Sequence, residues 1–297
     1  MNAGGWSSWP APAKLNLFLH IVGRRSDGYH LIQTCFQLLD WGDQVHLRVR
    51  DDGALRHHAV PDGISADEEL GMRAAAALRA ATGCRRGVDI AIDKRIPLGG
   101  GLGGGSSDAA TVLIALNAIW ATGVDENALS RIALDLGADV PVFVRGHSAW
   151  AQGIGEELTP LALPERWYLV VDPGVSVPTA QLFNAAELTR NTVPLTIRRF
   201  LSGAATGNAF EPLARARFPQ VARVLDWLSL HGDARLSGSG ASAFLPVASR
   251  AAGAELARRC PSPFRCHLVR GVARSPLLDR RDAWSREAIS VGASPSW

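Results

Sequence analysis

Between Ala13 and Val22 apolar and polar positions alternate, with Ala13, Leu15, Leu17, Leu19 and Ile21 on one side and Lys14, Asn16, Phe18 and His20 on the other. A period of two predicts a strand with one face in a core, and it gives Lys14 and Asn16 a common face. The turn-rich GRRSDGYH follows. QVHLRV, the turn at Asp51–Gly53 and the return ALRHHAV predict a hairpin. Ala-rich residues 67–81 predict a helix, and VDIAID (Val88–Asp93) a short strand. Over 107–121 the apolar positions (Ala109, Val112, Leu113, Leu116, Ile119, Trp120) cover most of a helical circumference, the pattern of a buried helix. A further helix over 126–136 stops at Gly137, where a C-terminal cap is expected.

The second half has another rhythm. WYLVVD predicts a strand, residues 180–188 and 213–230 predict helices, and ARLS and SAFLPV predict two strands around a GSG turn. A helix over 250–259 and the strand FRCHLV complete the series. Strand, helices, two strands, helix, strand is the order of a split βαβ sandwich of the ferredoxin-like kind. The fold class expected is therefore α+β, with an N-terminal domain over 1–160, a C-terminal one over 161–286 and a loose tail over 287–297. The Pro- and Glu-rich stretch 159–165 marks the seam, and no internal repeat is present.

Composition narrows the partners. Charged residues are 20% of the chain, an ordinary globular share that excludes a disordered tail. A net charge of +3 is too small to argue for nucleic acid or a membrane surface. Four cysteines (Cys35, Cys84, Cys260, Cys266) without a CxxC pair read as reduced thiols of a cytosolic protein. The N-terminus has no early basic region and places Lys14 where a signal peptide is apolar. The greasiest run, 109–121, falls short of the roughly 20 residues that span a bilayer. The expectation is a soluble, cytoplasmic protein.

The most informative segment is PLGGGLGGGSSDAA (Pro97–Ala110), with six glycines in the seven positions 99–105. Such a backbone can curl so that successive amides aim at one anion, and the helix that follows adds its positive end. Ser106 and Ser107 stand where capping hydroxyls are expected. A Walker A loop is excluded, because no lysine follows these glycines. The spacing GxGxxG is present at Gly99, Gly101 and Gly104, but Lys94, Arg95 and Pro97 separate it from the preceding strand. A dinucleotide site is therefore disfavoured.

PxxxGLGxxSSxAA resembles the phosphate loop of the GHMP small-molecule kinases. PAKLNLFLHIVGRRSDGYHLIQT, LGADVPVFVRGHSAWAQGIGEEL, DPGVSVPTAQLF and ARLSGSGASAF resemble, within that superfamily, the kinases of 4-(cytidine 5′-diphospho)-2-C-methyl-D-erythritol. The resemblance runs from Pro10 to Leu278. It implies a domain like the second domain of ribosomal protein S5 followed by a ferredoxin-like domain. The implied activity is transfer of phosphate from ATP, with Mg²⁺, to the 2-hydroxyl of the cytidylylated methylerythritol, a step of the non-mevalonate route to isoprenoid precursors.

Residue by residue, the resemblance implies Asp139 as the base that accepts the hydroxyl proton. Lys14 stands beside it to stabilise charge on the carboxylate and the attacking oxygen. It implies ATP contacts from Lys94, Pro97, Gly99, Gly100, Gly101, Leu102, Gly103, Gly104, Gly105, Ser106 and Ser107, and from Gly238 and Gly240 in the third glycine loop. For the acceptor it implies Asn16, Tyr29, His30, Phe183 and Asp139 itself, and His147 follows closely enough to be added. By their own local pattern Lys14 reads as a solvated strand residue, Asp139 as a turn residue and Phe183 as core. No metal-ligand set is expected from protein side chains, and His57 and His58 suggest none. Glu69 departs from the asparagine usual in relatives near the adenine. Rival readings are another GHMP kinase, of the mevalonate, phosphomevalonate or homoserine type, or a nucleotide sensor without turnover. A monomer or weak homodimer is expected.

Overall fold

The structure, a computed structural model, describes residues 5–58 and 69–290. The first strand, β1 (Ser7–Arg24), pairs antiparallel with β2 (His30–Arg50), both longer than the alternation predicts. Within the predicted segment the expected period fails at a register shift between Asn16 and Leu19, one of three along the β1–β2 pair. Phe18 then turns to its own cluster with Cys35 and Trp150, while Leu17 is only half-buried. Lys14 and Asn16, ahead of the shift, keep their shared face.

The predicted hairpin after β2 is corrected. β3 (Leu55–His57) does not pair with β2. The chain crosses through α1 (Leu70–Thr82), and β4 (Gly87–Asp93) inserts between them, antiparallel to β2 and parallel to β3. A parallel pair needs a crossover, which α1 supplies. Gly87 permits the close approach, because a Cβ there would lie 2.2 Å from the Ala54 carbonyl oxygen. Residues 59, 60, 67 and 68, parts of the expected hairpin and helix, lie outside the described residues.

Next come α2 (Gly104–Ile119), α3 (Glu126–Leu136), α4 (Val140–Arg145) and the hairpin of β5 (Ala149–Gln152) and β6 (Glu157–Pro160). α2 is buried along most of its length, among Val88, Leu129 and Phe143. The second half contains β7 (Trp167–Asp172), α5 (Thr179–Phe183), α6 (Ile197–Leu201), α7 (Glu211–Arg217) and α8 (Pro219–Ser229). The single helix expected over 213–230 breaks before Pro219, and Phe218 is extended as a residue preceding proline must be. Then follow β8 (Arg235–Leu236), β9 (Ala243–Val247), α9 (Arg250–Arg258), β10 (Arg265–Val272) and α10 (Pro276–Ser290). The order β10-β7-β9-β8, antiparallel throughout, is that of a split βαβ sandwich.

The two sheets meet where Gly271 and Val272 of β10 pair with Leu39 and Leu38 of β2. α10, which the apolar pattern did not predict, returns to the first core. Leu277 and Leu278 are buried there, and Trp284 packs on Trp9 with ring centroids 5.5 Å apart. Residues 287–290 are thus helical, not a loose tail, and 291–297 lie outside the described residues. One cysteine expectation is also corrected. Cys260 and Cys266 form a disulfide between the end of α9 and β10, leaving Cys35 and Cys84 as free thiols. Among the described residues no helix is long and apolar enough to cross a membrane.

Candidate functional site

Asp43, fully buried on β2, accepts hydrogen bonds from the backbone amides of Arg95 (2.5 Å) and Ile96 (2.8 Å). These bonds anchor the chain just as it enters the glycine run. Within the run, the φ of +75° at Gly103 lets α2 start at Gly104 with no side-chain cap. Ser106 and Ser107 therefore fall inside the first turn and do not cap it, because the glycines admit the helix three residues early. Ser106 lines the cavity below, while Ser107 is buried with its Oγ unpartnered. The uncapped amides at this helix end are free for an anion.

A second loop, 237–242, holds the first. The amides of Ala241 and Ser242 donate to the carbonyls of Gly99 (3.1 Å) and Gly100 (3.0 Å), and Ser237 Oγ donates to Gly101 O (3.0 Å). Ser237 Oγ also accepts from the Asn16 amide, joining both loops to β1. Lys14 completes the knot. Its Nζ donates to Asn16 Oδ1 (2.5 Å) and Gly101 O (3.1 Å) and lies 3.3 Å from Asp139 Oδ2. The ammonium is only 3% exposed, whereas the Asp139 side chain is 35% exposed. The pair is buried on the cation side and open to a ligand on the carboxylate side. Asp139 sits at the N-terminus of α4 but does not cap it, so its carboxylate is directed to Lys14.

Two adjoining cavities share Gly99, Gly101, Gly103 and Ser106 in their walls. The first, about 250 Å³, is bounded by Leu70, Lys94 and the run from Ile96 to Ser106. The second, about 340 Å³, contains Lys14, Asn16, Asp139 and Gly238 and ends on Leu19, Ile32, Phe183 and Phe210. One polar end and one apolar, aromatic end, with the carboxylate between, suit a ligand of mixed chemistry. Lys94 does not lie loose on the rim. Its Nζ bridges Asp43 (2.5 Å) and Asp108 (2.7 Å). Burial acts to lower its pKa, but the two carboxylates outweigh burial and raise it. Asp108 is pushed up to about 7 by burial, against the pull of Lys94 and with Asp43 adding to the rise.

Residues 69–147 match the GHMP kinases N terminal domain and residues 187–266 the GHMP kinases C terminal domain. A 4-diphosphocytidyl-2-C-methyl-D-erythritol kinase of Xanthomonas axonopodis pv. citri (strain 306) is 57% identical over 280 residues, covering 94% of this chain and 95% of the relative. The chain belongs to the 4-diphosphocytidyl-2-C-methyl-D-erythritol kinases, within the GHMP kinases. The enzyme of that name from Halorhodospira halophila is 54% identical, covering 92% of this chain and 95% of its own. A crystal structure of a 4-(cytidine 5′-diphospho)-2C-methyl-D-erythritol kinase superposes with a TM-score of 0.78 at 34% identity, over 90% of this chain and all of that one. A homoserine kinase from Cytophaga hutchinsonii shares the fold at 16% identity, with a TM-score of 0.68 over 93% of this chain and 97% of its own.

Of the residues that the kinase motifs single out, the fold gathers Lys14, Asn16, Asp139, Phe183, Gly238 and the loop 97–107. Leu102 contributes backbone only, since its side chain is buried core and its carbonyl accepts from the Lys14 amide. Gly240 packs behind the loop, with its amide donating to Ser237 O. His30 is buried with its ring 4.9 Å from that of Phe183, and neither it nor Tyr29, which is 60% exposed, belongs to the cavity walls. His147 is corrected. It is exposed beyond the far end of α4 and bridges to Arg274, away from the cavity. Glu69 turns its carboxylate onto the Gly71 and Met72 amides and serves as the N-cap of α1.

Three positioning residues escaped the sequence. Asp43 sets the entry to the glycine run, Asn208 Nδ2 donates to the carbonyls of Leu236 (2.9 Å) and Gly238 (2.8 Å), and Arg190 contacts His30. None sits in a motif of unusual composition, so no local signal could have found them.

Proposed function

We propose that this chain transfers the γ-phosphoryl group of ATP to the 2-hydroxyl of 4-(cytidine 5′-diphospho)-2-C-methyl-D-erythritol, acting in the cytoplasm as a monomer or weak homodimer. The observation that carries this is Lys14. Its one ammonium reaches the phosphate-loop carbonyl of Gly101 (3.1 Å) and the carboxylate of Asp139 (3.3 Å). Donor and acceptor would thus meet at one point. The division at 160/161 is kept as a proposal: the first part carries the loop and the base, and the second supplies loop 237–242 and Phe183.

In this reading the amides at the start of α2 and the loop 99–105 hold the phosphates. Asp139 takes the proton from the attacking hydroxyl. Lys14, already desolvated, offsets the charge that builds on that oxygen. Phosphoryl transfer asks mainly for positioning and charge neutralisation, which this set supplies. The residues fit a Mg²⁺ ion. Ser107 Oγ is a buried oxygen without a partner, and among the described residues no group of three or more His, Cys, Asp or Glu forms a cage for a metal. Ser107 would therefore hold the ion together with phosphate oxygens and water. When bound, it neutralises charge on the phosphates.

The test is ADP release with ATP-Mg²⁺ over a panel of acceptors: the cytidylylated methylerythritol, mevalonate, phosphomevalonate and homoserine. Turnover confined to the first is expected. Turnover of another acceptor instead, or nucleotide binding without any product, would refute the assignment.

A further inference from the structure

A further cavity, of about 310 Å³, opens at the seam between the two sheets and shares no wall residue with the two cavities of the candidate site. Leu17 of β1 and Gln37 of β2 wall it from one sheet, Tyr168 of β7 and Phe244 of β9 from the other. Its volume is at the lower end of the ~300–1,000 Å³ typical of small-molecule sites.

Two polar groups of this wall lack a partner in the protein. Tyr168 is 3% exposed, and its hydroxyl makes no hydrogen bond to any described residue. Burial pushes the phenol up to about 12, against the pull of Arg166, so it stands protonated and able to donate. Gln37 is 1% exposed. Its Nε2 donates to Val272 O (2.9 Å) and Ser148 Oγ (3.1 Å), which fixes the amide, and its Oε1 is left without a donor. The two side chains lie together because β10 carries a glycine beside them. A Cβ at Gly271 would lie 2.8 Å from Gln37 Cδ and 2.9 Å from Tyr168 Cε2. Buried polar groups are as a rule hydrogen-bonded, so two adjacent exceptions on a cavity wall call for a partner from outside the chain.

The charges of the wall say what kind of partner. Arg235 pairs with Asp233 (2.6 Å) and donates to Leu17 O (2.8 Å) and Thr206 Oγ1 (2.6 Å). Arg166 is exposed and forms no ion pair among the described residues. Its neighbour Glu165 is taken by Arg270 at 3.4 Å. Two guanidiniums against one carboxylate leave the cavity a single positive charge, at Arg166, which matches a monoanion better than a phosphate dianion or a diphosphate. Leu163, Phe200 and Phe244 give the remaining wall its apolar surface.

We propose that this cavity is a second ligand site, which takes a small carboxylate with an apolar body and one hydroxyl group. The carboxylate meets the guanidinium fork of Arg166, and the body lies against Leu163, Phe200 and Phe244. The hydroxyl accepts from Tyr168 and donates to Gln37 Oε1.

The experiment titrates the full-length protein with 3-(4-hydroxyphenyl)propionate at low salt, by calorimetry, with circular dichroism to check the folding of each variant. Saturable binding is expected with Kd at or below about 1 mM. Saturating ATP-Mg²⁺ should leave it unchanged, because the two sites share no wall. Tyr168→Phe removes no bond within the protein, so it should fold as the wild type does. That variant, and separately the probe 3-phenylpropionate on the wild type, should each bind about three- to tenfold more weakly. Arg166→Met should weaken the hydroxylated probe by about tenfold and flatten the salt dependence of binding. Absence of binding by both carboxylates at about 10 mM would mean that the cavity holds water alone, and would overturn the proposal. Displacement by ATP, or equal binding by wild type, Tyr168→Phe and Arg166→Met, would overturn it too. None of these readouts uses phosphoryl transfer, so they stand whichever acceptor the protein phosphorylates.

Discussion

Where the two loops meet, the structure leaves Gly101 no room for a side chain. Its φ is +72°, and a Cβ there would lie 2.1 Å from Ser237 O and 2.9 Å from Gly240 O, both backbone atoms. Ordinary contact begins near 3.4 Å, so Gly101→Ala must push the two loops about 1.3 Å apart. The left-handed conformation costs alanine about 1–2 kcal/mol. The separation also strains the bonds from Ala241 N, Ser242 N and Ser237 Oγ, each worth about 0.5–1.5 kcal/mol net. Together these come to about 3–6 kcal/mol, expected to lower Tm by about 10 °C. Displacement of the amides proposed to hold the phosphates should raise KM for ATP at least tenfold.

Gly123→Ala separates the two contributions. Gly123 has φ +68° with nothing within 4 Å of a built Cβ, so it carries the conformational cost alone, for a Tm loss of about 4 °C. Thermal melts and steady-state kinetics on the two variants decide the matter. If Gly101→Ala melts with Gly123→Ala and keeps the wild-type KM for ATP, the close approach of the two loops is not what shapes the phosphate site.

Asp139→Asn preserves size and should leave KM for ATP unchanged while kcat falls by about 10²–10⁴, measured by coupled ADP release. Turnover within threefold of wild type would remove Asp139 as the base. Glu69→Ala deletes the acceptor of two amides at the start of α1, and should cost about 1 kcal/mol, a Tm shift of about 2–4 °C. Thiol counting tests the cysteine pairing. Burial pushes Cys35 up to about 12, so it should resist a disulfide reagent at pH 8 until the protein unfolds. Unfolding without reductant should expose two thiols and with reductant four, and four in both cases would exclude the Cys260–Cys266 bond.

The features that were legible are the local ones. A strand of period two puts Lys14 and Asn16 side by side whatever surrounds it, and a glycine run ahead of a buried helix is an anion-binding shape from backbone geometry alone. The register shift after Asn16 already lies beyond that logic, because packing of Phe18 against Trp150 belongs to another part of the chain. The start of α2 departs from the expected position for a related reason. Glycine at 103 tolerates a left-handed φ, so no serine is needed as a cap. The exclusion of β3 from β2 depends on β4, which arrives only after a whole helix has been laid down.

What the sequence determined unaided is therefore the vocabulary of the site: a phosphate-shaped loop, a lysine and an asparagine on one strand face, and an aspartate between Gly137 and Pro141. What the tertiary structure decided is which of these meet. Lys14 touches both Gly101 and Asp139, Asn208 and Asp43 hold the loops, and Arg190 reaches a histidine 160 positions away. Contacts of that range are set by packing of whole elements against one another. Hydrophobic period and turn chemistry report only on neighbours within a few residues, so they cannot name such partners.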